Sequence, residues 1–185
     1  MVRKFIRKFS VFDLMVISLL AALGIAIKAV IVPFVHMLTG PLFIPGGAIA
    51  GGIYMLFIVL AVSLTGKPGA AVLCGFVQAI MVLVIGVGGH HGPLTIVSYS
   101  LTGLSIDLLM VLIRHKGCCH LCCFFAGLVS NLTGTIIVNM AFFQLPFVPL
   151  MLILCSAALS GGLGGLLAGS LTAQLKKLEV LNWRS

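Results

Sequence analysis

VFDLMVISLLAALGIAIKAVIVP, Val11 to Pro33, carries two charged side chains, Asp13 near its start and Lys28 near its end. At 1.5 Å per residue such a run crosses the ~30 Å hydrocarbon core of a bilayer. Runs of the same kind recur along the whole chain of 185 residues, which is 61% hydrophobic and 8% charged, with a mean hydropathy of +1.30. A soluble domain carries roughly 25% charged residues, so an ordinary soluble fold is excluded. Lipid offers no partner to backbone N–H and C=O groups, so a spanning segment is a helix or a strand of a closed barrel. Barrel strands alternate in polarity and run about ten residues; these runs are longer and uniformly apolar. The fold class is therefore all-α: a six-transmembrane-helix bundle forming a single integral membrane domain over residues 1–185.

The helices are expected at about 11–33, 48–64, 70–87, 94–113, 118–143 and 150–173, with Ser10 as N-cap of the first. Between them lie HMLTGPLFIPGG (His36–Gly47), GKPG (Gly66–Gly69), a histidine turn within GVGGHHGPLT (Gly86–Thr95), RHKG (Arg114–Gly117) and QLPFVP (Gln144–Pro149). The basic N-terminus MVRKFIRKFS leads into an apolar run too long for a signal peptide, with no clear small-residue cleavage site, so the first helix is retained.

Charge orients the bundle. Arg3, Lys4, Arg7 and Lys8 precede the first helix, Lys67 joins the second and third, Arg114 and Lys116 join the fourth and fifth, and Lys176, Lys177 and Arg184 follow the sixth. With six helices all of these fall on one side, and the loops of the other side hold no Lys or Arg. By the positive-inside rule both termini are cytoplasmic. The net charge of +8 then reflects membrane orientation, and no nucleic-acid partner is expected. The expected location is the inner or plasma membrane of a prokaryote, with lipid as the surrounding partner.

The histidine turn, with His90 and His91, thus faces outward, as do His36 and Gln144. Outward imidazoles are free to titrate or to meet a ligand; interfacial turn residues are the plainer reading. Ionisable groups within spans are costly and by default mark function. Lys28 lies in the outer half of the first helix; snorkelling to the interface is the favoured reading, and pairing with an anionic group the alternative. Asp107 lies in the inner half of the fourth helix, seven residues before Arg114 on the same face, and Asp13 suits the dipole at a helix start. Thr95, Ser98, Thr102 and Ser105 form one polar stripe; Asn131, Thr135 and Asn139 form another, and the third helix adds Gln78. Two such stripes line a cavity or pair across helices. The expectation is a cavity in the outer half, with packing in the inner half. Candidate substrate-binding residues are His90, His91, Tyr99, Thr95, Ser98, Asn139, Gln144, His36, Lys28 and Gln78.

Small residues cluster as Ala22 and Ala26, with Ala29 beyond, and as overlapping GxxxG spacings at Gly161, Gly165 and Gly169 in SGGLGGLLAG. They serve internal packing or a partner helix. Four of the six cysteines fall in GCCHLCCFF, where Cys118/Cys122 and Cys119/Cys123 are i,i+4 pairs. They read as small apolar helix residues; a metal is geometrically feasible there, but none is expected.

Six helices, cytoplasmic termini, a long outward loop after the first helix, and Ala22 and Ala26 together resemble the S components of energy-coupling factor (ECF) transporters, the substrate-binding membrane subunits of these importers. GKPGAAVLCGF (Gly66–Phe76) is similar to the KPGAA turn of the YkoE-type thiamine-precursor S components, as are Gly103 and Asp107 on the fourth helix. Where that family tends to carry a glutamate early in the third helix, this chain has Gly75. The resemblance implies a vitamin bound in the outer half under the loop after the first helix. It also implies a transmembrane coupling subunit docked on helices one to three over Ala22, Ala26 and Ala29, and two cytoplasmic ATPase subunits. Thiamine or its hydroxymethylpyrimidine precursor is the leading substrate, and haem or a cobalt corrinoid the runner-up. The chain has no GxxxxGK[ST] phosphate loop, as befits a binding subunit without cofactors, and it lacks the N-terminal Met-His pattern of nickel and cobalt S components, which disfavours the free ions. Two rival classes are weaker. An integral-membrane enzyme using His90, His91 and Asp107 would need groups ~20 Å apart in depth to act together, so no catalytic residues are expected. A stand-alone secondary transporter or channel would show buried charge networks or inverted repeats, and no convincing repeat is present.

Overall fold

The computed structural model describes residues 9–39, 46–86, 92–113 and 119–177. Those residues form six helices and no strand: α1 (Val11–Thr39), α2 (Gly46–Thr65), α3 (Ala70–Ile85), α4 (Leu94–Ile113), α5 (His120–Val138), which runs into a π-helical turn (Asn139–Phe143), and α6 (Phe147–Lys177). Five of them, α1, α2, α4, α5 with its π turn, and α6, are long and apolar enough to cross a bilayer, while α3 is shorter.

The ends are registered by polar contacts. Asp13 at the start of α1 accepts from Lys67 Nζ in the α2–α3 turn at 2.6 Å, and its carboxylate also accepts the Ser10 amide at 2.9 Å, the reciprocal half of a capping box. Asp107, late in α4, accepts the Val72 amide at 2.9 Å in the first turn of α3. Ser63, late in α2, meets Cys123, early in α5, at 3.4 Å. The start of α1, the turn at Lys67 and the end of α4 therefore share one end of the bundle, and α6 brings Lys176 and Lys177 to it. The turn GKPG is tight because Gly66 (φ 61°) and Gly69 (φ 94°) adopt the left-handed region that other residues avoid.

Lipid is as apolar as a protein core, so helices associate in it through close packing and hydrogen bonds rather than hydrophobic burial. Small residues supply both. Gly52 on α2 abuts Gly164 and Ser160 on α6, and Gly127 on α5 abuts Gly161 and Gly165 on α6, so closely that a methyl group at these sites would strike backbone. The α6 glycine run thus serves packing inside the bundle. Gly75 on α3 faces the Tyr99 carbonyl, and Gly103 on α4 faces the Ala71 carbonyl. At Gly75 an added Cβ would lie 2.6 Å from that oxygen, so the glutamate of the resembling family has no room here. Asn131 on α5 donates to the Ala48 carbonyl of α2 at 3.0 Å and to the Ala157 carbonyl of α6 at 2.8 Å, tying three helices together. The central helix is α2, with 72% of its apolar window buried; the other spans turn Leu, Ile, Val and Met side chains outward.

Several boundaries differ from expectation. α1 passes through Pro33 and reaches Thr39, so His36 lies on the helix and not in a loop. Pro33 removes one intrahelical donor without ending the helix. α6 starts three residues early, since Pro149 in its first turn has no helical partner to lose, and extends through Lys177. QLPFVP breaks the chain after the π turn, where Gln144 turns left-handed (φ 44°) and its amide closes on Asn139 O at 2.8 Å.

Candidate functional site

A cavity of about 200 Å³ lies between α1, α2, α4, α5 and α6, in the half of the bundle away from Lys67. α1 lines it with Lys28, Val32 and His36, one stripe at steps of four. α2 contributes Gly47, Ala48, Tyr54 and Met55, and α4 contributes Ser98, Tyr99 and Thr102. Asn131, Gly134, Thr135 and Val138 come from α5, Asn139 and Phe143 from the π turn, and Leu145 and Ile153 close the remaining side. The two polar stripes on α4 and α5 do meet across this space. Their hydroxyls are held locally: Thr102 donates to Ser98 O at 2.6 Å and Ser98 to Thr95 O at 3.2 Å. Asn139 Oδ1 accepts the Leu145 amide at 3.3 Å, fixing the end of the π turn over the cavity.

Lys28 dominates the electrostatics. Its side chain is 7% exposed and does not snorkel, contrary to the expectation from its position near the interface. It turns inward because Tyr99 and Tyr54, the two tyrosines of the chain, face it. Nζ donates to Tyr99 Oη at 2.5 Å and stands 5.0 Å from the Tyr99 ring centroid and 5.4 Å from that of Tyr54. Tyr54 Oη donates to Gly47 O at 2.9 Å, which fixes that ring at the start of α2. Aromatic faces and a phenol oxygen soften the desolvation of the ammonium without neutralising it.

Of the residues anticipated from sequence, Lys28, His36, Ser98, Tyr99 and Asn139 line the cavity. Thr95 and Gln78 are buried outside the lining, each with side-chain polar atoms that have no partner among the described residues. Gln78 is wedged beside Gly24, where α3 crosses α1. Gln144 is exposed and outside the lining, because its left-handed backbone turns it away at the helix break. His90 and His91 lie outside the described residues, as do Cys118, Arg114 and the segment 40–45. Tyr54 was missed because it is a single tyrosine in an apolar run, and Asn131, Thr102 and Thr135 were noted on their stripes but not assigned to the site. Asp107, singled out as an intramembrane acid, caps α3 and lies away from the cavity. The cysteine pairing also differs. Cys119 is the extended N-cap of α5 (φ −123°), which brings its Sγ to 2.7 Å from Cys122, while Cys123 is buried against α2. Among the described residues no three His, Cys, Asp or Glu side chains gather as metal ligands would.

The sequence model of a family described as "ABC-type cobalt transport system, permease component" matches residues 12–133. The chain belongs to that family. As a membrane transport component it also shares its fold with a protein described as an "S-component of ECF transporter", whose crystal structure superimposes with a TM-score of 0.80 at 24% identity, covering 94% of this chain and 89% of that one. No curated protein matches the chain in sequence. On the family's permease component, Ala22 and Ala29 are half-buried and Ala26 is exposed, so this stripe of α1 faces away from the bundle.

Proposed function

We propose that this permease component is the substrate-binding S component of an ECF importer and that the cavity beside Lys28 receives one small nutrient molecule. The observation that carries the reading is the placement of that cavity: mainly apolar walls set with a few polar side chains around Lys28, in the half of the bundle away from Lys67, which the positive-inside rule puts outward. The chain works with a transmembrane coupling subunit, which uses the outward stripe of half-buried Ala22 and Ala29 and exposed Ala26, and with two cytoplasmic ATPase subunits.

Volume ranks the substrates. About 200 Å³ is below the ~300–1,000 Å³ of pockets that take drug-sized ligands. A single-ring compound such as hydroxymethylpyrimidine suits this space better than a haem or corrinoid macrocycle. Thiamine, a permanent cation, and free cobalt, a divalent one, would each meet the Lys28 ammonium at close range.

Binding of hydroxymethylpyrimidine and other single-ring nutrients to the detergent-purified chain, measured by calorimetry, tests the site against a Gly134→Phe variant. An added Cβ at Gly134 lies 3.5 Å from Thr102 Oγ1 and 3.6 Å from Met55 Cε, so a phenyl group there fills the cavity. Saturable binding by the wild type and none by the variant is expected; equal binding by both refutes the assignment.

A further inference from the structure

Among the described residues the charge beside the cavity has no counter-charge. The chain contains three acids, Asp13, Asp107 and Glu179. Asp13 is held by Lys67, and it lies 15 residues from Lys28 along α1, about 22 Å. Asp107 is engaged at the start of α3, eight residues or roughly 12 Å beyond Tyr99 on α4. Glu179 follows the end of α6, which is about 36 Å along that helix from the cavity residue Ile153.

Lys28 carries three N–H donors, and among the described residues its one hydrogen-bond acceptor is the Tyr99 hydroxyl. That hydroxyl accepts the lysine's hydrogen bond, and its own O–H has no acceptor among the described residues. The cavity therefore holds a buried cation with two unspent donors and, next to it, a phenol O–H. A buried charge that stays unpaired is destabilising, whereas an incoming anion would satisfy all of these donors at once through charge-assisted bonds.

Building on the assignment of this cavity as the substrate site, we infer that the transported nutrient carries an anionic group, a carboxylate or a phosphate, that binds between Lys28 Nζ and Tyr99 Oη. The ring of that nutrient then lies toward Met55, Thr102 and Gly134. Among pyrimidine nutrients this selects a phosphate ester over the free alcohol, and among ring acids it selects the carboxylate over its amide.

Two pairs test the inference and separate the two anions: hydroxymethylpyrimidine against its phosphate monoester, and the isosteric pyridine-3-carboxylate and pyridine-3-carboxamide. Each is titrated, up to millimolar concentration, into wild type, Lys28→Met, Lys28→Arg and Gly134→Phe, with Kd from calorimetry and Tm from light scattering. In at least one pair the anionic member should bind the wild type roughly 10- to 100-fold more tightly than its neutral partner, the range of one charge-assisted hydrogen bond. Lys28→Met should abolish that preference and Lys28→Arg keep part of it. The ligand-free Lys28→Met protein should melt at or above the wild-type temperature, because removing an uncompensated buried cation relieves its desolvation. Absence of any Lys28-dependent preference for the anionic member in both pairs overturns the inference, as does a ligand-free Lys28→Met protein that melts well below wild type, which would make Lys28 a structural residue. If the neutral members bind as well as the anionic ones and only Gly134→Phe removes them, the cavity assignment stands and the anion falls. If Gly134→Phe changes nothing that binds, the cavity assignment itself has failed.

Discussion

Replacing Gly75 by alanine probes both the helix packing and the site it supports. The new Cβ would lie 2.6 Å from the Tyr99 carbonyl oxygen, against ordinary contact at 3.4 Å or more. That oxygen belongs to the α4 backbone and has no rotamer by which to escape, so α3 and α4 must part by roughly 0.8 Å, enough to forfeit a quarter to a half of the dispersion energy of the atoms involved. Overpacking of this kind costs about 1–3 kcal/mol, offset in part by the ~0.5–1 kcal/mol that alanine gains over glycine in a helix. A net loss of about 0.5–2 kcal/mol is expected. Gly134→Ala is the matched control: its Cβ meets its nearest neighbours at 3.5 and 3.6 Å, so the helix term acts alone and the variant should be neutral or up to ~1 kcal/mol more stable. Thermal melts in one detergent, with reversible unfolding in mixed micelles for the free energies, place the two variants on opposite sides of wild type. Gly75→Ala melting at or above wild type, or Gly134→Ala falling below it, would refute the close-packing argument. Because Tyr99 supports Lys28, Gly75→Ala should also weaken ligand binding even though Gly75 does not line the cavity.

Asn131→Ala removes two interhelical bonds and should cost about 1–2 kcal/mol at the ~0.6 kcal/mol average for such bonds, somewhat more if both are strong, read from the same unfolding measurement. Asp107→Asn keeps an oxygen for the Val72 amide and should fold nearly as well as wild type, whereas Asp107→Leu orphans that amide and should lose about 1–3 kcal/mol. Lys67→Met leaves the Asp13 carboxylate buried without its cation and should destabilise by about 1.5–3 kcal/mol. The double variant Asp13→Asn/Lys67→Met should recover part of that loss, and a strictly additive cycle would show that the pair is not coupled.

How far the site was legible before the fold was known depends on the residue. Ser98, Tyr99 and Asn139 were found because polar residues at steps of three and four in an apolar helix stand out against lipid-like neighbours. Tyr54 was not, since one tyrosine in the apolar run of α2 carries no such polar period. Lys28 was noticed, but its direction was misjudged: position near a helix end suggests snorkelling, and only the tyrosines on α2 and α4 draw the ammonium inward. The small residues of α6 were read correctly as a close-approach surface, yet their target was open until α2 and α5 were seen against Gly164 and Gly161.

What the chain's residues determine alone is local. Each bilayer-length run must satisfy its backbone hydrogen bonds within itself, so helices and turns follow from composition, and the lysines and arginines gather in alternate turns. Which face of each helix points inward is not local. In lipid both the outside and the inside of the bundle are apolar, and no hydrophobic period marks the buried side. The tertiary structure decides that Lys28 meets Tyr99 across 71 residues and that Asn131 meets Ala48 across 83, because glycine-to-backbone contacts and a few buried hydrogen bonds select one rotation of each helix from many of equal hydrophobicity.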